Sequence, residues 1–238
     1  MSTFENVKVG IAIPTAGLIR AACTFSLLQL VGQLSKEIFW KECKSQGLTV
    51  LMREGSGIAP NRETMVGEAI DADCTHVLFV DDDMSFEPPA FASIASRRLP
   101  IVGVNYRKRF PPAGFTAVHL DRSRGLMETN EHSKGLEPVD YMGFGLCLIE
   151  TRVFKALPRP WFLNTYLDGV YTTEDLPFYR AAREAGFTAF CDQDASKFIG
   201  HIGIHDYRWH QKFDPPEEAR DKPAPLSAVP SKVAVGAG

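Results

Sequence analysis

The chain has 238 residues, 45% of them hydrophobic, so it is long enough to bury the core of one large domain. Its formal net charge of -3 argues against a general electrostatic attraction to nucleic acid or to an anionic membrane, although a local basic patch stays open. The five cysteines form no Cys-x-x-Cys pair and no close Cys/His cluster, which argues against a disulfide framework and a structural zinc site and favours a cytoplasmic location.

The chain shows no sign of a membrane or export segment. Its first residues, MSTFEN, lack a basic stretch followed by an apolar one, so no signal peptide is predicted. No stretch reaches the ~20 uninterrupted apolar residues that a membrane-spanning helix needs. We therefore expect no integral membrane segment.

The first half of the chain alternates predicted strands and helices. Apolar residues alternate from Val7 to Ile13, which is typical of a strand, and Pro14 ends the run. The same reasoning predicts helices at about 18–40, 61–72 and 88–96 and strands at 48–53, 76–80 and 101–104. This order predicts an α/β fold with a mostly parallel, Rossmann-like central sheet, whose ligands bind beyond the carboxyl ends of the strands.

The second half is predicted to be mixed, with shorter elements. We expect extended pieces at 116–120, 146–150 and 189–191 and a helix at about 174–185. From Asp214 onward Pro, Ala, Glu and Lys dominate, so the last residues have too few apolar side chains to order themselves. The prediction is a single domain over 1–213 and a disordered tail over 214–238.

Three adjacent carboxylates, Asp81, Asp82 and Asp83, follow the strand that is predicted to be most buried. Their mutual repulsion is tolerable when a divalent cation neutralises them. Mg²⁺ and Mn²⁺ prefer oxygen ligands and keep places for substrate phosphates, so Asp81 and Asp83 suit a cation that carries a diphosphate. The alternative is a solvated acidic turn that caps the next helix.

The order of several short motifs resembles that of GT-A-fold glycosyltransferases, particularly their family 2-like group, which has an Asp-x-Asp motif. The likeness covers roughly residues 7 to 205. The motifs that carry it are GIAPNR at 57–62, VLFVDDDM at 77–84, MGFGLCLIETRVF at 142–154, and TEDLPF at 173–178 with Arg180 and Gly186. The resemblance implies a single GT-A-type domain.

The resemblance also implies a donor site for a nucleotide-diphosphate sugar, with a UDP-sugar as the expected donor. The residues implied to contact it are Pro14, Thr15 and Glu54 at the base, Asn61 and Arg62 at the base and diphosphate, Asp81 at the ribose, and Asp82 between the two acidic ligands. For Asn61 the alternative is a helix N-cap.

The metal that the resemblance implies is Mn²⁺ or Mg²⁺. Asp83 matches the carboxylate that binds it directly, and Asp81 matches one that reaches it through water. A histidine late in the chain commonly completes such a site, and His201 is the first choice, followed by His205. The alternative for each histidine is an ordinary structural role.

Asp175 matches the base that removes the acceptor's hydroxyl proton in inverting members of the family, and Glu174 is the alternative base. The other interpretation is a helix start, with Thr173 as N-cap and two acids in the first turn.

Two further segments have open roles. Arg107 belongs to a segment with three cations and two aromatic residues at 105–110, which either holds the leaving diphosphate or an anionic acceptor, or is a solvated loop. Gly143 and Gly145 either admit an acceptor sugar close to the backbone or mark a bulge.

The sequence thus predicts a metal-dependent glycosyltransferase whose acceptor is a glycan, a protein or a modified nucleic-acid base. One alternative is a nucleotidyltransferase, although the loop after the first strand contains a single glycine and is a poor phosphate loop. The other alternative is a non-catalytic module that binds a nucleotide or a carbohydrate.

Overall fold

A computed structural model describes residues 7–40, 47–109, 114–167, 169–203 and 206–211. The predicted tail at 214–238 lies outside these residues, as do Cys43, Phe110 and His205.

The first half of the chain contains the predicted strands and helices and one additional strand. The elements are β1 Lys8–Thr15, α1 Ala21–Trp40, β2 Gly47–Glu54, α2 Ile58–Asp71, β3 His76–Val80, β4 Met84–Phe86, α3 Pro88–Ser96 and β5 Ile101–Gly103. Strand β4, directly after the acidic run, was not predicted.

The second half is mixed, as expected, but richer in strands than the sequence indicates. The elements are β6 Val118–His119, β7 Leu136–Tyr141, β8 Leu146–Glu150, α4 Thr151–Ala156, β9 Thr165–Leu167, β10 Val170–Thr172, α5 Asp175–Glu184, β11 Ala189–Asp192, β12 Ile199–Ile202 and β13 Asp206–Arg208, with short 3-10 turns at Arg122–Arg124 and Ala195–Phe198.

The central sheet has eight strands in the order β2-β1-β3-β8-β5-β11-β7-β6. Strand β1 pairs in parallel with β2 and β3, and β5 pairs in parallel with β11. Strand β8 is antiparallel to both β3 and β5, so those two run in the same direction on either side of it. Strand β7 is antiparallel to both β11 and β6, so six of the eight strands run in one direction although four of the seven neighbouring pairs are antiparallel. The α/β class with a mostly parallel, mixed central sheet is therefore confirmed.

Two layers of helices cover this sheet. Ile11 and Ile13 of β1 pack with Leu30 of α1 and Phe91 of α3 on one face. Ala12, between those isoleucines, faces the other core, which α2, α4 and α5 complete. The alternation of the strand's side chains thus supplies both cores.

A second sheet of three strands, in the order β13-β12-β4, lies beside the acidic run. It pairs β4 antiparallel with β12, which places His201 opposite Met84. A separate hairpin joins β9 and β10.

One predicted helix boundary was wrong in a way that affects the site. Helix α2 begins at Ile58, and Gly57 holds its N-cap position without a side-chain hydrogen bond. Pro60 is tolerated because the first turn does not need its missing N–H. Asn61 therefore lies inside the helix and is not its cap.

The four described cysteines, at 23, 74, 147 and 191, are buried free thiols. No helix in the described parts of the chain is long and apolar enough to cross a membrane.

Candidate functional site

The carboxyl ends of β1 and β2 bring together the residues expected at the nucleotide base. Thr15 ends β1 next to Pro14, and its carbonyl accepts a 2.9 Å hydrogen bond from the Gly55 amide, directly after Glu54. A side chain at Gly17, whose φ is +109°, would lie 3.1 Å from an oxygen of Glu54. The loop after β1 therefore lies against the exposed carboxylate at the end of β2.

Asn61 lies against the same loop. Its amide nitrogen is 3.4 Å from the carbonyl oxygens of Arg53 and Gly55. These long hydrogen bonds tie the first turn of α2 to the end of β2. Asn61 therefore borders the region that contains Glu54.

The start of α1 contacts the acidic run. The Arg20 amide donates a 3.0 Å hydrogen bond to the carbonyl of Asp82, and the Cys23 thiol lies 3.4 Å from the carbonyl of Asp81. The run is thus held from the side of β1 as well as by β3. Asp82 contributes its backbone to this contact.

Arg62 connects the acidic run to the start of α5. Its Nη2 donates a 2.5 Å hydrogen bond to Oδ1 of Asp81, and its Nη1 pairs with Glu174. Arg62 is only 3% exposed, and Glu174 is buried as well. The structure therefore places Arg62 beneath the acidic run, as a bridge between two carboxylates.

The surroundings of this bridge are largely aromatic. The Arg62 guanidinium lies 4.9 Å from the ring centre of Phe144 and 5.8 Å from that of Phe79. Its Nε is buried without a hydrogen-bond partner among the described residues. Burial raises the pKa of Glu174, and the positive charge of Arg62 only partly opposes this shift.

Asp83 and His201 meet because β4 and β12 form a ladder. The Ile202 amide donates a 2.7 Å hydrogen bond to the carbonyl of Asp83, which aligns the two chains. Nε2 of His201 then lies 3.3 Å from Oδ2 of Asp83, a buried carboxylate. Arg109 pairs with the same oxygen. Two of the three residues expected at the metal are therefore neighbours.

The other nitrogen of His201 determines which atom faces Asp83. Nδ1 lies 2.8 Å from the carbonyl oxygen of Arg107, and a carbonyl only accepts, so Nδ1 carries a proton. A neutral imidazole then presents the lone pair of Nε2 to the carboxylate. Either a second proton or a cation has to lie between these two acceptors, since they would otherwise repel each other.

The charge around Asp83 is mainly positive. Burial alone raises the pKa of Asp83. The hydrogen bond and charge that His201 supplies when Nε2 also carries a proton, together with the charge of Arg109, outweigh this effect, so the pKa is lowered overall. Asp81, by contrast, directs Oδ1 to Arg62. Within the described parts of the chain, no three acidic, histidine or cysteine side chains form a metal-binding group.

The three cations after β5 point to different places. Arg107 stacks on Phe115, 4.5 Å from its ring centre, and donates to the carbonyl of Trp209. Lys108 lines a cavity of about 580 Å³, and Arg109 pairs with Asp83. Arg107, the cation expected at the diphosphate, thus faces the C-terminal strands.

Asp175 lines the same cavity as His201 and Lys108. It is the first residue of α5, where its Oδ1 accepts hydrogen bonds from the Thr173 hydroxyl (2.7 Å) and the Leu176 amide (2.9 Å). Its Oδ2 has no hydrogen-bond partner among the described residues. Glu174, one position earlier, does not line the cavity.

Tyr106 lies between this cavity and the core, and its position requires glycine at two neighbouring positions. Its hydroxyl accepts a 3.0 Å hydrogen bond from the Gly145 amide, and its ring packs edge-on against His201, with 5.2 Å between ring centres. A Cβ at Gly143 would lie 2.1 Å from the Tyr106 hydroxyl, and one at Gly145 would lie 2.7 Å from its ring. The glycines therefore make room for Tyr106.

Other side chains of the cavity come from elements that the sequence did not connect with a site. They include Arg122 from the 3-10 turn, Tyr141 from β7 and Tyr171 from β10. The signal that would have found Tyr106 is its position beside the basic segment. Arg122 carried no such signal, because only the tertiary fold brings it to α5.

Comparison with solved structures identifies proteins of similar fold. A197 from STIV has 16% sequence identity and a TM-score of 0.53 over 83% of this chain and 86% of its own. GalNAc-T7, crystallised with UDP, GalNAc and Mn²⁺, has 12% identity and a TM-score of 0.47; the match covers 86% of this chain and 44% of that chain, less than half of it. The catalytic domain of Drosophila β1,4-galactosyltransferase 7, in complex with xylobiose, has 17% identity and a TM-score of 0.42 over 91% of this chain and 80% of its own. At these identities the likeness concerns the fold alone.

No protein-family model matches the sequence, and comparison with curated proteins finds no match.

Proposed function

We propose that this protein is a metal-dependent glycosyltransferase that holds a nucleotide-diphosphate sugar at Asp83 and His201 and uses Asp175 as the base. The observation that carries this proposal is the meeting of Nε2 of His201 with Oδ2 of Asp83, 3.3 Å apart, beside a cavity that also contains Asp175. The carbonyl of Arg107 fixes the imidazole so that Nε2 faces the carboxylate.

This pair of ligands suits Mn²⁺ or Mg²⁺. One imidazole and one carboxylate leave most coordination positions to water and to the oxygens of a diphosphate, which is the usual arrangement for these ions at phosphate substrates. When bound, the cation would supply positive charge to the leaving diphosphate. Arg109 provides positive charge at the same carboxylate in the described structure.

Thr15, Glu54 and Asn61 form the margin of the proposed nucleotide site. They converge at the carboxyl ends of β1 and β2, beside the acidic run, where ligands of open α/β sheets bind. Arg62 acts below this surface: it orients Asp81 and does not itself reach the diphosphate. A UDP-sugar is the proposed donor.

Asp175 suits the role of base better than Glu174 does. Among the described residues its Oδ2 has no hydrogen-bond partner, and its side chain lines the cavity, so an acceptor hydroxyl can approach it. Glu174 is buried against Arg62 and does not line the cavity. We assign Glu174 to the orientation of α5.

The first test is calorimetric binding of UDP with Mn²⁺ and, separately, with a chelator. We expect binding only with Mn²⁺, because without the cation the diphosphate and the carboxylate would repel each other. Asp83→Ala should abolish binding because it removes a proposed ligand of that cation. Asp71→Ala, an exposed change at the end of α2, is the matched control and should bind UDP normally. Equal affinity in chelator and in Mn²⁺ would contradict the metal-dependent site.

The second test is release of UDP from a panel of UDP-sugars. Asp175→Asn keeps the size and capping ability of the side chain but removes the base, so release should fall by roughly 10²–10⁴-fold. UDP affinity should not change, since the proposed metal ligands are intact. UDP binding without release by the wild type would favour a binding module, and activity of Asp175→Asn within a few-fold of wild type would exclude Asp175 as the base.

A further inference from the structure

The cavity that contains Asp175 has a positively charged lining in a chain whose net charge is negative. Lys108, Arg122 and Arg180 line it, and Asp175 is the one acidic residue among the described lining residues. The whole chain has a formal charge of -3, so this accumulation is local. A concave surface lined with one sign of charge favours a ligand of the opposite sign.

The positive charge of Arg122 is only partly neutralised by carboxylates of the described residues. Its Nε donates a 2.5 Å hydrogen bond to the buried carboxylate of Asp140, which also pairs with Arg183 at 2.5 Å. Two guanidinium groups thus share one carboxylate, and this group of three keeps a net positive charge. Neither terminal nitrogen of Arg122 has a partner in the described parts of the chain, which leaves them available to a ligand.

Arg180 and Lys108 are similarly available. The one ion pair of Arg180 in the described structure is an exposed contact with Glu184 at 3.4 Å, which solvent weakens. Lys108 has no acidic partner among the described residues. The cavity therefore contains cationic groups whose hydrogen-bonding capacity exceeds what the protein itself satisfies.

The spacing along α5 separates an anion site from the proposed base. Arg180 lies five residues after Asp175, which is a rise of about 7.5 Å and a rotation of about 140° around the helix axis, and both side chains line the cavity. The rise alone is on the scale of one sugar ring with a charged substituent. A ligand whose anionic group meets Arg180 can therefore present a hydroxyl near Asp175.

The β9–β10 hairpin supplies an aromatic side to this cavity. Tyr171 lines it although its side chain is 57% exposed, and it contacts Tyr166, which is 71% exposed. Exposed tyrosines beside a cavity offer flat apolar faces that pack against sugar rings while their hydroxyls stay in water. The hairpin thus suits a carbohydrate better than a bare anion.

We infer that the acceptor bound in this cavity is a sugar that carries a phosphate or carboxylate group, held by Arg122 and Arg180 with its reacting hydroxyl at Asp175. This inference rests on the proposed glycosyltransferase function and specifies its acceptor. The donor diphosphate is assigned to Asp83, directly before β4, and to His201 of β12, so Arg122 and Arg180 are left for the acceptor.

The test compares three probes that share a hexose ring: glucose, glucuronate and glucose 6-phosphate. Binding to the full chain is measured by ligand-observed NMR titration, with and without UDP and Mn²⁺. We expect at least one anionic sugar to bind about 10-fold or more tightly than glucose, with an affinity that falls as salt is raised. The stronger of the two identifies phosphate or carboxylate as the recognised group.

Variants separate this inference from a general charge effect. Arg180→Gln and Arg122→Gln should each weaken binding of the preferred anionic sugar by about 10-fold, the effect of one charge-assisted hydrogen bond. Arg124→Gln, on the same 3-10 turn as Arg122 but outside the cavity lining, should bind it as the wild type does. Glu184→Gln removes the carboxylate that Arg180 contacts at 3.4 Å and should strengthen binding.

Glucose binding as tightly as both anionic sugars, binding of none of the three, or an equal loss in Arg124→Gln would each overturn the inference. Arg180 is not part of a buried pair, so its variant stays informative if Arg122→Gln unfolds. UDP binding is measured in the same variants and should be unchanged. Anionic sugars that bind to a protein without UDP affinity would refute the proposed function and leave the anion site intact.

Discussion

The buried Arg62 offers the sharpest test of how the site is held together. Replacing it with methionine removes the cation between Asp81 and Glu174 but keeps an unbranched apolar side chain beside Phe79 and Phe144. The two carboxylates then differ, because the Asp81 side chain is 26% exposed and rehydrates, whereas that of Glu174 is 9% exposed. Most of the loss in the free energy of unfolding should therefore arise from the unpaired carboxylate of Glu174.

Removing one partner of a buried ion pair costs about 3–5 kcal/mol, and we expect Arg62→Met to lower the free energy of unfolding by that amount at neutral pH. Glu174→Gln alone should cost less, about 1–3 kcal/mol, because Arg62 keeps its ion pair with Asp81. The double variant should be more stable than the sum of the two losses predicts, with a coupling of about 1–3 kcal/mol, because no unpaired carboxylate is left buried at position 174.

The pH dependence provides a second signature with a definite sign. Burial raises the pKa of Glu174, and without Arg62 nothing nearby lowers it as strongly. An acid whose folded pKa is raised stabilises the fold below its unfolded pKa and loses that contribution as pH rises through the folded value. Arg62→Met should therefore regain stability on acidification, by at most about 1.4 kcal/mol per pH unit, and the Glu174→Gln background should abolish that gain.

The assay is urea unfolding followed by circular dichroism, on the wild type, both single variants and the double variant, at a series of pH values. The slope of each transition shows whether the variants unfold from equally compact states. A loss below about 1 kcal/mol in Arg62→Met, or strictly additive losses in the double variant, would refute the bridge between Asp81 and Glu174.

Two further predictions concern the packing around the site. Gly145→Ala should destabilise the protein by about 1–3 kcal/mol, because the new Cβ would lie 2.7 Å from the ring of the buried Tyr106. Gly32→Ala in α1, whose Cβ would meet nothing within 4 Å, should stabilise it by about 0.5–1 kcal/mol, and thermal unfolding measures both. Asp192→Asn should lower the free energy of unfolding by about 1.5–3 kcal/mol at neutral pH, because burial raises the pKa of Asp192 but hydrogen bonds, chiefly from Arg97, lower it overall. The difference from wild type should vanish as pH falls through that lowered pKa, and a difference that stays constant in urea unfolding would contradict this.

The sequence predicted the first half of the fold well because its signals there are local. The run at 76–80 is entirely buried apart from its first residue, and the alternation in β1 matches its two cores. Strand β4 was not predicted because three residues are too few to show the alternation of apolar and polar side chains that identifies a strand. Its pairing with β12 shows that these residues are extended. Short strands of this kind depend on tertiary pairing.

The sequence predicted only part of the candidate site, because the positions of several of its side chains depend on tertiary contacts. His201 was selected from its position in the chain, and the β4–β12 ladder shows why it reaches Asp83. Arg62 was expected at the diphosphate, but its guanidinium lies beneath the acidic run, a direction that the sequence of α2 does not specify. Arg122 reaches the cavity through the turn at 122–124, which no sequence pattern links to α5.

The adjacent acids Glu174 and Asp175 show how one helix start serves both the fold and the proposed reaction. Glu174 points inward to Arg62, which in turn holds Asp81 after β3, so the beginning of α5 is tied to the acidic run through a single side chain. Asp175, the next residue, points into the cavity that His201 also lines. A shift of α5 would move the proposed base relative to the proposed metal ligands, and small displacements of this kind cost large factors in rate. Arg62→Met should therefore lower UDP release even at temperatures where it remains folded, whereas Asp192→Asn, which weakens contacts with Ser93 and Arg97, should not. Equal activity of these two variants, compared at equal fractions folded, would show that Arg62 serves stability alone.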